Sequence, residues 1–131
     1  MGSLFYKVLL VDDAESNRVV VELYLEDHPY AITNASDGCA ALKCFENDLY
    51  DCILMDVEMP GMGEFEVVER MRAVESQRGT GETPVIFLTA HDRCRYVREL
   101  SKVSNSRFFT KPIRRVDLLK AMEMSISGSS D

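Results

Sequence analysis

Cys52-Ile53-Leu54-Met55-Asp56 is a run of apolar residues that ends in a carboxylate, with Val57-Glu58-Met59-Pro60 behind it. The run is short, continuously apolar and closed by a proline turn, as expected of a strand buried on both faces of a parallel sheet. Two further runs have the same form. Lys7-Val8-Leu9-Leu10-Val11 ends in Asp12-Asp13, and Pro84-Val85-Ile86-Phe87-Leu88 ends in Thr89. A fourth segment, Phe108-Phe109-Thr110, delivers Lys111-Pro112. Helical patterns separate these runs, so strand and helix alternate along the chain. Such alternation implies an α/β fold, a doubly wound parallel sheet with helices on both faces.

Working outward, the first strand, Lys7 to Val11, leads into a helix whose inward side is read as Val19, Val20 and Leu23, with Ser16 or Asp13 as its cap. His28-Pro29 marks its end, because the residue before a proline is pushed out of helical geometry. Tyr30 to Thr33 is the weakest strand signal and the best edge candidate. Asp37-Gly38 opens a second helix with Ala41, Cys44 and Phe45 inward, and Phe65, Val68 and Met71 share one side of a third. Arg78-Gly79-Thr80-Gly81-Glu82-Thr83 is read as a polar loop. The fourth strand is followed by a helix bearing Val97 and Leu100, and the last helix carries Val116, Leu119, Met122 and Ile126. The reading is one domain over residues 7–126, with 1–6 a lead-in and 127–131 a flexible tail.

A chain of 131 residues suits one domain with a genuine core. Its net charge of −7 argues against direct nucleic-acid binding, since phosphate backbones attract Lys and Arg. Arg93-Cys94-Arg95 and Arg114-Arg115 are read as solvated helix faces or ends. No apolar stretch approaches the roughly 20 residues that span a bilayer, and the first residues lack the pattern of a secretory leader. Cys39, Cys44, Cys52 and Cys94 form neither a C-x-x-C pair nor a zinc pattern. The expectation is a cytoplasmic domain with reduced thiols and no membrane contact.

The ends of the runs carry the chemistry. In an open parallel sheet, the carboxyl ends of the strands border the crevice where ligands bind. Asp12, Asp13 and Asp56 would repel one another there, unless a hard cation such as Mg²⁺ kept them ionised. A carboxylate can act as a nucleophile and become an aspartyl-phosphate. Phosphoryl transfer then asks the protein for positioning and charge stabilisation, for which Lys111 supplies an ammonium and Thr89 a hydroxyl. Each signal alone has an ordinary reading: acids at a helix start, a turn aspartate, a threonine cap. Together, and in this order, they read as a magnesium-dependent phosphoryl acceptor site.

From about Lys7 to Met124 the chain resembles a response-regulator receiver domain of two-component signalling. Asp12-Asp13, Asp56, Met59-Pro60, Thr89-Ala90, Phe108 and Lys111-Pro112 carry the match. The pattern from Val11-Asp12-Asp13 through Asn17-Arg18 is similar to receivers of hybrid histidine kinases. The resemblance implies a flavodoxin-like fold with strand order 2-1-3-4-5. It makes Asp56 the phosphoacceptor, receiving its phosphoryl group from a histidine kinase or a histidine phosphotransfer domain. Mg²⁺ would be held by Asp13 and Asp56, by the backbone carbonyl of Glu58, and by Asp12 largely through water. Thr89 and Lys111 would bind phosphoryl oxygens, and Lys111-Pro112 would be cis. Thr89 and Phe108 would form a switch that alters the surface of the fourth helix, fifth strand and fifth helix for a downstream protein partner. The family often forms homodimers through the same last elements.

Gly63-Glu64 after Met62, and Ser104-Asn105-Ser106-Arg107 before the last strand, depart from the family pattern. Glu58 and His91 occupy positions that tune phosphoryl lifetime in the family. The implied domain is regulatory rather than an enzyme. A phosphatase of the Asp-x-Asp type lacks its second carboxylate here, because Ala14 follows Asp12-Asp13. A flavin-binding flavodoxin fits poorly with acids after the first strand. The remaining alternative is a phosphorylation-independent protein-interaction module on the same fold.

Overall fold

The structure, a computed structural model, describes residues 5–57, 63–89 and 102–127. Five strands, β1 (Tyr6–Val11), β2 (Tyr30–Ala35), β3 (Cys52–Asp56), β4 (Val85–Thr89) and β5 (Ser106–Thr110), form one sheet in the order β2-β1-β3-β4-β5. Every neighbouring pair is parallel. The α/β order expected from the resemblance is therefore the observed one, and Tyr30–Ala35 lies at an edge. The described helices are α1 (Glu15–Tyr24), α2 (Gly38–Asn47), α3 (Glu64–Arg78) and a C-terminal helix (Arg115–Ser127). The expected helix with Val97 and Leu100, the segment with Glu58, Met59 and Pro60, and His91 and Arg93-Cys94-Arg95 lie outside the described residues.

Successive side chains of a strand point to opposite faces, and the core divides accordingly. Leu9, Val11, Ile53, Met55, Val85 and Phe87 join α2 and α3 through Ala41, Phe45, Val67, Val68 and Met71. Val8, Leu10, Cys52, Leu54, Ile86 and Leu88 join α1 and the C-terminal helix through Val21, Leu25, Leu118, Ala121 and Met122. Strands β1, β3 and β4 are thus apolar on both faces, which explains their unbroken apolar runs.

Two helix faces differ from their sequence reading. In α1 the buried residue is Val21, followed by Leu25 just past the helix, while Val19, Val20 and Leu23 are 45%, 45% and 61% exposed. Three consecutive valines give no phase by themselves; the i, i+4 pair Val21 and Leu25 sets it. In the C-terminal helix Leu118, Ala121 and Met122 are buried, Leu119 and Ile126 are partly buried against the same cluster, and Val116 is exposed. The α1 cap also differs. Ala14 is the N-cap and makes no side-chain cap bond, and the Asp12 carboxylate accepts the Ala14 N–H at 2.9 Å instead.

Elsewhere the ends follow expected chemistry. Asp37 caps α2 by accepting the Ala40 N–H at 2.8 Å. Gly79 ends α3 in the left-handed region at φ 77°, where its N–H reaches the Glu75 carbonyl at 2.9 Å. The polar loop after α3 is tied down by a buried ion pair that the sequence pattern does not announce. Glu75, 2% exposed, accepts from Arg72 Nη1 at 3.0 Å and from the Thr83 N–H at 2.7 Å. Arg72 also donates to the carbonyls of Thr83 at 3.0 Å and Ser104 at 2.9 Å. One guanidinium thereby joins α3, the lead-in to β4 and the lead-in to β5.

Candidate functional site

The strand ends of a parallel sheet all open on the same pole, and here they carry Asp12, Asp56, Thr89 and Lys111. Asp56 is the last residue of β3 and Thr89 the last of β4; Asp12 follows β1 and Lys111 follows β5. Strand alternation sorts them further. Asp12, Asp56 and Lys111 continue the parity of Leu10, Leu54 and Phe109, on the face of α1 and the C-terminal helix. Thr89 continues the parity of Phe87, on the α2–α3 face.

The first set meets. Lys111 Nζ donates to Asp56 Oδ1 and lies 3.6 Å from Asp12 Oδ2. Carboxylate oxygens of Asp12, Asp13 and Asp56 all lie within 4.8 Å of one another, with Asp12 and Asp56 buried and Asp13 exposed. Burial pushes the Asp56 carboxyl up to about 6; Lys111 opposes that shift, and Asp12 and Asp13 add to it by repulsion. The cluster offers oxygen ligands alone, carries excess negative charge and has one open side. That donor set fits a hard divalent cation.

Thr89, 3% exposed, sits beside this group, and its carbonyl accepts the Lys111 N–H at 2.6 Å. The Lys111–Pro112 bond is cis. Phe108, half-buried, stacks on Phe87 with ring centroids 4.9 Å apart and planes at 25°. Phe87 and Phe108 are register partners across β4 and β5, and Thr89 lies two residues beyond Phe87 on β4, on the same face of the sheet. Glu58 and His91, singled out from the sequence, lie outside the described residues.

Beside Lys111 a cleft of about 190 Å³ opens between α1 and the loop after β5, lined by Asn17, Val20, Tyr24, Leu88, Pro112 and Ile113 among others. Two of these lining residues are bonded to each other, the Tyr24 hydroxyl donating to the Ile113 carbonyl at 3.0 Å. Val20, one of the exposed apolar residues of α1, lines this cleft.

Sequence reasoning found the ionic residues because each ends an apolar run. It gave no structural role to Asn17 and Arg18. Asn17 Nδ2 approaches Asp12 Oδ1 at 3.5 Å, and Arg18 Nη1 donates to the Asp12 carbonyl at 2.5 Å. The available signal was their position one helical turn beyond an acidic pair.

Comparison with known proteins agrees with this fold. A family model described as response regulator receiver domain matches residues 8–123. The sensor protein GacS of Pseudomonas syringae pv. syringae is 34% identical over 116 residues, covering 88% of this chain and 13% of that protein. The response regulator PleD of Caulobacter vibrioides is 38% identical over 113 residues, covering 86% of this chain and 24% of that protein. The chain thus spans only a minor part of the length of these relatives. Among solved structures, the receiver domain of sensor histidine kinase PA1611 from Pseudomonas aeruginosa PAO1, with a magnesium ion in its active-site cleft, matches with a TM-score of 0.81. Its identity is 31%, over 94% of this chain and 98% of that one. The chemotaxis protein CheY4 of Vibrio cholerae matches with a TM-score of 0.79 and 34% identity, over 92% of this chain and 98% of that one.

Proposed function

This chain belongs to the response regulator receiver domain family, and from that premise we propose that it is a phosphoacceptor signalling domain whose acceptor is Asp56. The observation that carries the proposal is the buried Asp56 carboxylate, bonded to the Lys111 ammonium and crowded by Asp12 and Asp13. Mg²⁺ would be held by Asp13 and Asp56, by the Glu58 backbone carbonyl and by Asp12 largely through water. When bound it supplies positive charge between an anionic donor and an anionic acceptor.

The donor is a phosphohistidine on a histidine kinase or a histidine phosphotransfer domain. An Asp56 carboxylate oxygen attacks phosphorus, the phosphorus–nitrogen bond breaks, and the imidazole leaves with its electron pair. Lys111 balances charge on one phosphoryl oxygen, and the Thr89 hydroxyl donates to another. The exposed α1 residues Val19, Val20 and Leu23, of which Val20 lines the cleft at Lys111, suit an apolar helical donor surface. The domain assists its own phosphorylation and hydrolysis and passes the signal to a downstream protein.

The response runs through Thr89 and Phe108. Movement of Thr89 toward the phosphoryl group frees space on the Phe87 face, Phe108 turns inward, and the surface around β5 changes its preference for partners. Neither nucleic acid nor membrane is a direct partner in this reading; no described helix is long and apolar enough to cross a membrane.

Intact-mass measurement after incubation with acetyl phosphate, with and without Mg²⁺, tests the proposal in wild type and Asp56→Asn. One Mg²⁺-dependent, base-labile phosphoryl adduct, absent from Asp56→Asn, is the expected result. No adduct together with no beryllofluoride binding would leave the phosphorylation-independent interaction module as the better account.

A further inference from the structure

Asp12 is held at every polar atom, and one of its partners lies outside the acceptor chemistry. Its N–H donates to the Ala35 carbonyl at 3.0 Å, which extends the β1–β2 pairing one residue past β1. Its Oδ1 accepts from Ala14 N–H at 2.9 Å and from Asn17 Nδ2 at a long 3.5 Å. Its Oδ2 faces Lys111. Its carbonyl accepts from Arg18 Nη1 at 2.5 Å. Arg18 sits in the first turns of α1, where its own N–H bonds the Ala14 carbonyl at 3.2 Å. The half-buried side chain then folds back over the turn to reach residue 12.

That carbonyl is half of the peptide unit joining Asp12 to Asp13. A peptide unit is planar, so fixing the direction of the Asp12 C=O also fixes the Asp13 N–H and limits where the Asp13 Cα can sit. Asp13 is the exposed member of the carboxylate cluster. Its direction depends on the backbone it leaves. Because a carbonyl accepting from a guanidinium is costly to turn away, the contact resists rotation of the 12–13 peptide.

We infer that Arg18 is a positioning residue for the divalent-cation site: by holding the Asp12 carbonyl it keeps the Asp12–Asp13 peptide in the orientation that aims the Asp13 carboxylate at Asp56. This rests on the proposed acceptor function. Partners that orient metal ligands typically account for about 10- to 100-fold in metal affinity. The opposite sign follows if Arg18 acts only as a charge. A cation near the cluster repels Mg²⁺, so its removal would then tighten binding.

Calorimetric titration of Mg²⁺, without any phosphoryl donor, into wild type, Arg18→Ala and Arg18→Lys decides between these signs. Urea unfolding in EDTA identifies a temperature at which each variant is folded. Arg18→Ala is expected to bind Mg²⁺ about tenfold more weakly than wild type. Arg18→Lys, which keeps the charge and a donor group on a long stem but loses the planar fork, is expected to recover part of the loss. If Arg18→Ala does not fold, Arg18→Lys alone serves, with a weaker affinity than wild type expected. Equal or tighter binding by the folded variant overturns the inference and leaves the acceptor reading intact. Absence of Mg²⁺ binding by wild type overturns both.

Discussion

Asp56 is the residue where structure and chemistry pull hardest against each other. Its carboxyl titrates at about 6, against an ordinary 3.8, because burial and the neighbouring acids disfavour its charge more than Lys111 favours it. Between these two values the folded protein retains a proton that the unfolded chain has released. The stability of the metal-free protein therefore falls as pH rises from about 4 to about 6, and remains lowered above that. Asp56→Asn keeps a neutral group at the position. In EDTA at pH 7.5 the variant should exceed wild type by on the order of 1–3 kcal/mol, and the gap should close near pH 4. Urea unfolding at the two pH values measures both; a gap independent of pH would place the effect elsewhere. Asp56 and Lys111 were legible because each terminates an apolar run. Arg18 was legible only as part of a pattern, because its contact is to a backbone carbonyl, which residue type does not reveal.

At the scale of elements, strand positions were read well and helix phases less well. A buried strand shows as a run of apolar residues and needs no phase. A helix must be phased, and in α1 the consecutive Val19, Val20 and Val21 fit more than one stripe. The structure buries Val21 and Leu25 and leaves Leu23 exposed. Leu25→Ala should therefore cost about 2–5 kcal/mol, and Leu23→Ala should stay within about 0.5 kcal/mol of wild type. Chemical denaturation of the two variants side by side checks the phase, and similar losses would contradict it. The clasp of Arg72 and Glu75 was invisible for a different reason. An Arg and a Glu three apart on a helix usually form a solvated pair, whereas here the carboxylate is buried and also accepts the Thr83 N–H. Its role arises from a loop folding over it, which no local pattern encodes.

The whole molecule follows from how many sides of each strand are covered. β3 is paired on both edges and buried on both faces, while β2 and β5 each have one unpaired edge in the described sheet. Local opening should start at those edges. In native-state hydrogen exchange, the β3 amides are expected to exchange only through global unfolding, with β2 and β5 exchanging faster. Comparable protection across all strands would contradict this ordering. The strand order was legible through family resemblance rather than periodicity, because alternation alone fixes a parallel sheet and not the sequence of its strands. The segments that depart from the family pattern were less legible, since their form depends on contacts such as Asn105 Nδ2 with the Glu82 carbonyl at 2.8 Å.

The opposite parity of the Asp56–Lys111 pair and the Thr89–Phe108 pair has a consequence for descent. Side chains that would meet a donor and side chains that would relay the result lie on opposite faces of one sheet, and the Lys111 N–H to Thr89 carbonyl bond links them at the strand ends. In the proposed function, substitutions on the α1 layer of a duplicated copy would retune which donor it hears without repacking Phe87 against Phe108. Paralogous copies can in this way become insulated from one another's donors while still giving the same reply.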